Sequence, residues 1–154
     1  MTQIITIDNK KDETFLRTPV PQFDFSTHTT EEVRALVQLL RQELRLTAGS
    51  GVGLSANQIG LSDRVFIVQY NKKFYTIFNP EIIKMSQKIV IDEEGCLSIP
   101  NTYIDVPRAE RITIVGYGQN GKKTKINASD VLARIFQHET DHLNGILIID
   151  RVAS

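Results

Sequence analysis

The sequence predicts an α+β fold: a single domain, residues 1–154, with mixed or antiparallel β-sheets packed around a central metal-binding helix and a second helix in the N-terminal half. Three observations predict it. Two stretches carry apolar residues at helical spacing behind a capping residue. Between and after them lie short β-branched and aromatic runs bounded by turn sequences. Two of the three histidines sit four positions apart on the second helical stretch, around a glutamate. A chain of 154 residues is long enough for one real core and too short for two, and no internal repeat or linker divides it.

The elements follow in order. Ile4, Ile5 and Ile7 suggest a short strand or arm, and the segment from there to Ser26, with Pro19 and Pro21, reads as extended and loop-rich. Thr29 and Glu32 form a capping box, and Val33, Leu36, Val37, Leu40 and Leu44 make an amphipathic helix to about Leu46. Gly49, Gly51 and Gly53 then break the chain. Val65–Val68 and Phe74–Phe78 read as strands around an Asn71-Lys72-Lys73 turn, followed by strands at Ile89–Ile91 and Arg111–Val115. Asn120-Gly121 signals a hairpin before Lys122–Ile126. Ser129 is placed to cap a helix through about Asn144 that Gly145 ends, and Ile146–Ile149 reads as a last strand.

The bulk properties exclude several functions. Hydrophobic residues make up 41% and charged residues 23%, the balance of a folded soluble domain. Lys+Arg and Asp+Glu are equal at 18 each, so no net field draws the protein to nucleic acid or to an anionic membrane. The N-terminus lacks a signal-peptide pattern, and no stretch approaches the roughly 20 apolar residues of a membrane span. The single cysteine rules out an internal disulfide. A monomer in the cytoplasm, with no membrane partner and no specific nucleic-acid partner, is expected.

Residues 137–145 read Gln-His-Glu-Thr-Asp-His-Leu-Asn-Gly. His138 and His142 leave the same helix face and can converge on one ion, and Glu139 beside them can handle protons for a water that the ion activates. The same pattern also suits two core histidines satisfied by hydrogen bonds. That two of only three histidines fall at ligand spacing around a glutamate favours the metal. His28, just before a helix cap, is assigned no role. A hydrolytic ion needs three protein ligands and one open position. Only a mostly apolar stretch follows His142, so the third ligand is expected upstream. Cys96, in Glu94-Gly95-Cys96-Leu97-Ser98, is the candidate, although a lone cysteine is more often a small buried hydrophobe. The Gly51–Gln58 stretch lacks the spacing of a phosphate cradle, whereas Gln58 offers a neutral donor for an oxyanion.

Taken together, these segments resemble the three motifs of the peptide deformylases, in that family's order and at similar separations. Residues 51–58 match G-φ-G-L-A-A-x-Q, where φ is apolar, except that Ser55 replaces the first alanine. Glu94–Ser98 meet E-G-C-L-S in full, and His138–His142 meet H-E-x-D-H in full. Asn79-Pro80, Val106-Pro107-Arg108 and Leu132-Ala133-Arg134 add to a likeness that covers nearly the whole chain. Ser55 is expected to add a hydroxyl and do little else. The sequence ends at Ser154, soon after the third motif, as in the short-tailed forms known from phages. That would place the protein in a host cytoplasm and puts a ribosome contact in question.

The resemblance implies a metal-dependent amide hydrolase that removes the formyl group from N-formylmethionyl peptides. Cys96, His138 and His142 would hold one divalent ion. Fe2+ is the family's common choice, with Zn2+, Ni2+ or Co2+ able to use the same ligands. Glu139 would be the general base and acid; the Gln58 amide and the Leu97 backbone N–H would stabilise the oxyanion. Gly53 and Gly95 would line the peptide backbone, Ile135 and Val131 the methionine pocket, and Arg108 would reach the peptide. Two rivals stand beside this reading: a small H-E-x-x-H metallopeptidase, and an inactive peptide- or ribosome-binding module.

Overall fold

The structure is a computed structural model, and it describes residues 4–47 and 52–153. Gly49 and Gly51, two of the expected chain-breaking glycines, lie outside those residues. The described residues form three helices, α1 (Lys10–Leu16), α2 (Thr30–Arg45) and α3 (Asp130–Leu143), with seven strands. The strands are β1 (Gly53–Ser55), β2 (Val65–Tyr70), β3 (Lys73–Met85), β4 (Ile89–Cys96), β5 (Ile99–Ala109), β6 (Arg111–Tyr117) and β7 (Lys123–Ser129). All pairings are antiparallel: a five-stranded sheet in the order β1-β2-β3-β6-β7, and a separate β4-β5 hairpin. The α+β expectation is met, with α3 against the sheet.

Strand alternation divides the core. On β2, Phe66 and Val68 face Ala133 and Phe136 of α3, whereas Val65 and Ile67 face Val33, Val37, Leu40 and Leu44 of α2. The central sheet is therefore buried on both sides, with one helix on each. A third apolar cluster joins Leu16 to Ile99, Val106, Leu147 and Ile148. No helix among the described residues is long and apolar enough to cross a membrane.

Both long helices obey their sequence signals at one or both ends. At the start of α2, Thr29 Oγ1 accepts from Glu32 N at 3.1 Å and Glu32 Oε1 accepts from Thr29 N at 2.8 Å. Ser129 occupies the N-cap position of α3, but its side chain accepts no capping bond. The far end of α3 closes as expected: Gly145 adopts φ +77°, its N–H reaches the His142 carbonyl at 3.1 Å, and Ile146 N reaches Asp141 O at 2.9 Å. That is a Schellman closure, and its left-handed residue favours glycine. The β2-β3 turn is tighter than expected. Asn71 and Lys72 both have positive φ, Tyr70 pairs with Lys73, and Lys73 already belongs to β3.

Three expectations need correction. Residues 10–16 form α1 inside the stretch read as loop; Asn9 Oδ1 caps it from Lys11 N at 2.8 Å, and seven residues are too few to show a period. The Ile4–Ile7 segment, expected as a strand or an arm, is an arm. Ile5 N donates to Gln58 O at 2.8 Å and Ile7 N to Ser98 O at 3.0 Å. Ile146–Ile149 is not a strand. Asp150 Oδ2 accepts from Leu147 N at 2.9 Å and turns the chain into a 3₁₀ helix, Ile148–Arg151, with Leu147 and Ile148 buried. Finally, β5 contains Pro100 and Pro107, which hid it from the sequence. A two-stranded sheet has a free edge on each strand, so a missing N–H is tolerated there.

Candidate metal centre and active site

Three elements bring the motif residues together. Cys96 ends β4, His138 and His142 lie one turn apart on α3, and Gln58 belongs to a 3₁₀ turn, Ala56–Ile59, that follows β1. Cys96 Sγ lies 3.2 Å from His142 Nε2, which lies 3.2 Å from His138 Nε2. These three atoms all lie within 4.8 Å of one another. Ligands at about 2.0–2.3 Å on a tetrahedral ion stand on the order of 3.5 Å apart, so the set fits a divalent cation in spacing and in donor chemistry.

The surroundings fit it as well. Glu94 Oε1 meets His138 Nδ1 at 2.9 Å, which leaves Nε2 to face the centre. Glu94 is 7% exposed and also takes Arg108 Nε at 2.9 Å, Arg108 Nη2 at 3.0 Å and Arg134 Nη1 at 2.6 Å. Burial pushes its carboxyl up, but the His138 and Arg108 contacts outweigh that and hold it well below the carboxylate range. Burial likewise opposes the Cys96 thiolate, yet the charge of His142 and hydrogen bonds from both histidines keep the thiol well below its ordinary value. Burial works against a proton on His138, but Cys96 and Glu94 push it up to about 10. Without an ion the pocket therefore favours a thiolate beside a protonated imidazole, a net-neutral pair that gives up its proton when a cation binds.

Glu139 is buried, and burial raises its carboxyl against the opposing pull of His138 and His142. Its Oε1 has no hydrogen-bond partner, and its Oε2 lies 3.9 Å from His138 Nε2. A buried carboxylate oxygen left free beside a cation seat is placed to exchange protons with a guest. Gln58 Nε2 donates to Ser98 Oγ at 3.1 Å and lies 3.9 Å from Cys96 Sγ. Together these groups open onto a cavity of about 420 Å³ that Gly53, Gly95, Leu97, Tyr103, Arg134 and Ile135 also line.

A family model for polypeptide deformylase matches residues 1–154. The chain belongs to the peptide deformylase family. It is therefore a metal-dependent amide hydrolase, and neither the endopeptidase nor the inactive-module reading is favoured. Among its relatives, the peptide deformylase of Dictyoglomus turgidum is 41% identical over 121 residues, covering 79% of this chain and 77% of that protein. The crystal structure of peptide deformylase from Thermotoga maritima superposes with a TM-score of 0.85 at 32% identity, covering 100% of this chain and 99% of that one. A class I type b peptide deformylase from Acinetobacter baumannii, solved with Met-Ala-Ser bound, gives a TM-score of 0.88 at 26% identity over 99% of this chain and 98% of that one.

Within this deformylase pocket the expected residues fare unequally. Cys96, His138, His142, Glu139, Gln58 and Leu97 lie together, and Gly53, Gly95 and Ile135 line the cavity. Arg108 does not open toward a peptide. It is 4% exposed and pairs with both Glu94 and Asp141 beneath the centre, because two buried carboxylates draw its charge inward. Val131 is half exposed on the first turn of α3 and does not line the cavity, where Arg134 does.

Sequence reasoning gave no role to Glu94, Arg134, Ser98 or Asn57. The first had a signal: Glu94 and Cys96 are two apart on a strand and project to one side. Arg134 precedes His138 by four residues and shares its helix face. Asn57 is fully buried and donates from Nδ2 to His142 O at 2.7 Å, tying the Gln58 turn to the end of α3. No sequence pattern announces that contact.

Proposed function

We propose that this chain hydrolyses the formyl amide at the N-terminus of formylmethionyl peptides, releasing formate and a free amine. One observation carries the reading: a thiolate and two imidazoles converge beside Glu139, whose Oε2 lies 3.9 Å from His138 Nε2. Cys96, His138 and His142 would hold the ion, which when bound supplies the Lewis acidity that makes water nucleophilic near neutral pH. Thiolate and imidazole suit Fe2+, the proposed native ion, and also Zn2+, Ni2+ or Co2+.

The chain's own groups do the rest. Glu139, its carboxyl raised by burial, takes the proton of the attacking water and delivers it to the departing amine. Gln58 Nε2 and the Leu97 N–H stabilise the oxygen that gains charge, and the loss of such a donor costs about 3–4 kcal/mol of barrier. Gly53 and Gly95 leave room for an extended peptide backbone, and Ile135 offers apolar surface to the methionine side chain. Arg134, held by Glu94, lines the pocket wall, whereas Val131 does not. The Met-Ala-Ser complex of the Acinetobacter relative supports a tripeptide-sized guest.

Formate release from formyl-Met-Ala-Ser tests the reading. The metal-loaded protein turns the substrate over, and Glu139→Gln loses turnover while metal analysis finds the ion retained. Cleavage of an internally quenched peptide without formate release would overturn it. We further propose a cytoplasmic monomer. Sedimentation as a dimer would refute it.

A further inference from the structure

Ser55 departs from the family's first motif, where alanine stands, and it lies fully buried beside Gln58. Two donors of Ser55 meet the same acceptor: its backbone N–H and its hydroxyl both reach Gln58 Oε1 at 3.1 Å. The backbone half is ordinary capping-box geometry, in which a glutamine three residues on folds back over the N-cap N–H. An alanine would keep that half. The hydroxyl adds a second anchor on the same oxygen.

The second anchor bears on a soft coordinate. The terminal torsion of glutamine is broad and nearly two-fold, so one hydrogen bond leaves the amide free to rock. With Oε1 held at two points, Nε2 is turned the other way, onto Ser98 Oγ at 3.1 Å and toward Cys96 Sγ at 3.9 Å. Gln58 itself is 2% exposed, so bulk water competes little for the amide. A donor that stabilises developing charge works by being aimed beforehand.

We propose that Ser55 is a positioning residue whose hydroxyl locks the Gln58 amide with Nε2 aimed at the reacting carbonyl oxygen. The proposal rests on the deformylase reading of Gln58 for its catalytic consequence, though not for its geometry.

The test is a double-mutant cycle on metal-loaded protein with formyl-Met-Ala-Ser, using Ser55→Ala, Gln58→Met and the pair. Ser55→Ala lowers kcat about 3- to 10-fold, the range of one net hydrogen bond, and leaves KM within about 2-fold. In the Gln58→Met background the same change moves kcat by less than about 2-fold, because the group it aims is gone. A second readout needs no turnover: in labelled protein, the Gln58 side-chain amide protons exchange with solvent faster after Ser55→Ala. An equal loss of kcat in both backgrounds, or unchanged kcat and unchanged exchange, overturns the proposal. If the wild type releases no formate, the deformylase reading fails instead, and the exchange measurement alone decides the role of Ser55.

Discussion

Replacing Glu94 by glutamine keeps the shape of the side chain and removes its charge, at a site where both oxygens are already fully used. Oε2 accepts Arg108 Nε and Arg134 Nη1, and Oε1 accepts Arg108 Nη2 and His138 Nδ1. Whichever way a glutamine amide turned, its NH2 would confront two donors. Two charge-assisted hydrogen bonds are then lost, each worth about 1.5–3 kcal/mol. A buried guanidinium also loses half of its compensation, since Asp141 is its other partner. The expected cost is about 3–5 kcal/mol, the usual penalty for removing one partner of a buried pair. Because the chain contains no tryptophan, urea unfolding followed by far-ultraviolet dichroism is the suitable assay. Metal affinity should fall about 10- to 100-fold as well, because His138 loses the acceptor that orients it. A Glu94→Gln protein that unfolds within about 1 kcal/mol of wild type would refute the reasoning, for Glu94 would then be a spectator among arginines.

Two further outcomes follow from the centre. A Cβ on Gly53 would sit 2.8 Å from Glu139 Oε2 and 3.1 Å from two of its carbons, so Gly53→Ala should displace the proton carrier. It should lower kcat at least about tenfold with little loss of stability, and full activity would count against Glu139 acting from its observed position. The metal-free protein should also show a stability plateau in pH. Relative to unfolded chain, the folded pair moves a proton from Cys96, ordinarily 9.0, to His138, ordinarily 6.5 and here about 10. Between 6.5 and 9.0 the two states bind equal protons and this pair contributes no slope. Above 9.0 the unfolded state binds fewer protons, so stability falls toward pH 10; below 6.5 it binds more, so stability falls with acid. Urea midpoints across this range, with Cys96→Ser as reference, check it; a steady slope through pH 7–9 confined to the wild type would contradict it.

Much of the centre was legible because its chemistry is written in local spacing. Two histidines four apart on a capped helix must share a face, and a glutamate beside them needs no long-range knowledge to be suspected. The long amphipathic α2 and the β6-β7 hairpin were legible for the same reason. What stayed hidden depends on contacts between distant segments. Arg108 reads in the sequence as a peptide contact, whereas two carboxylates from β4 and α3 surround it, and Val131 misses the cavity because the helix turns it outward. The strand carrying Pro100 and Pro107 was masked because prolines are read as breaks, whereas a hairpin with two free edges can accept them. The seven-residue α1 is simply shorter than the window over which a period becomes visible.

The arm at Ile5 and Ile7 bonds to the carbonyls of Gln58 and Ser98, while the histidines arrive on α3. The working pocket thus draws on residues from near the start of the chain to position 142. During synthesis no shorter nascent fragment carries a complete ligand set, because His142 is the last group of the pocket to be made. Ion capture is consequently a late event in the birth of this protein, since Cys96 has no imidazole to share an ion with until α3 is made.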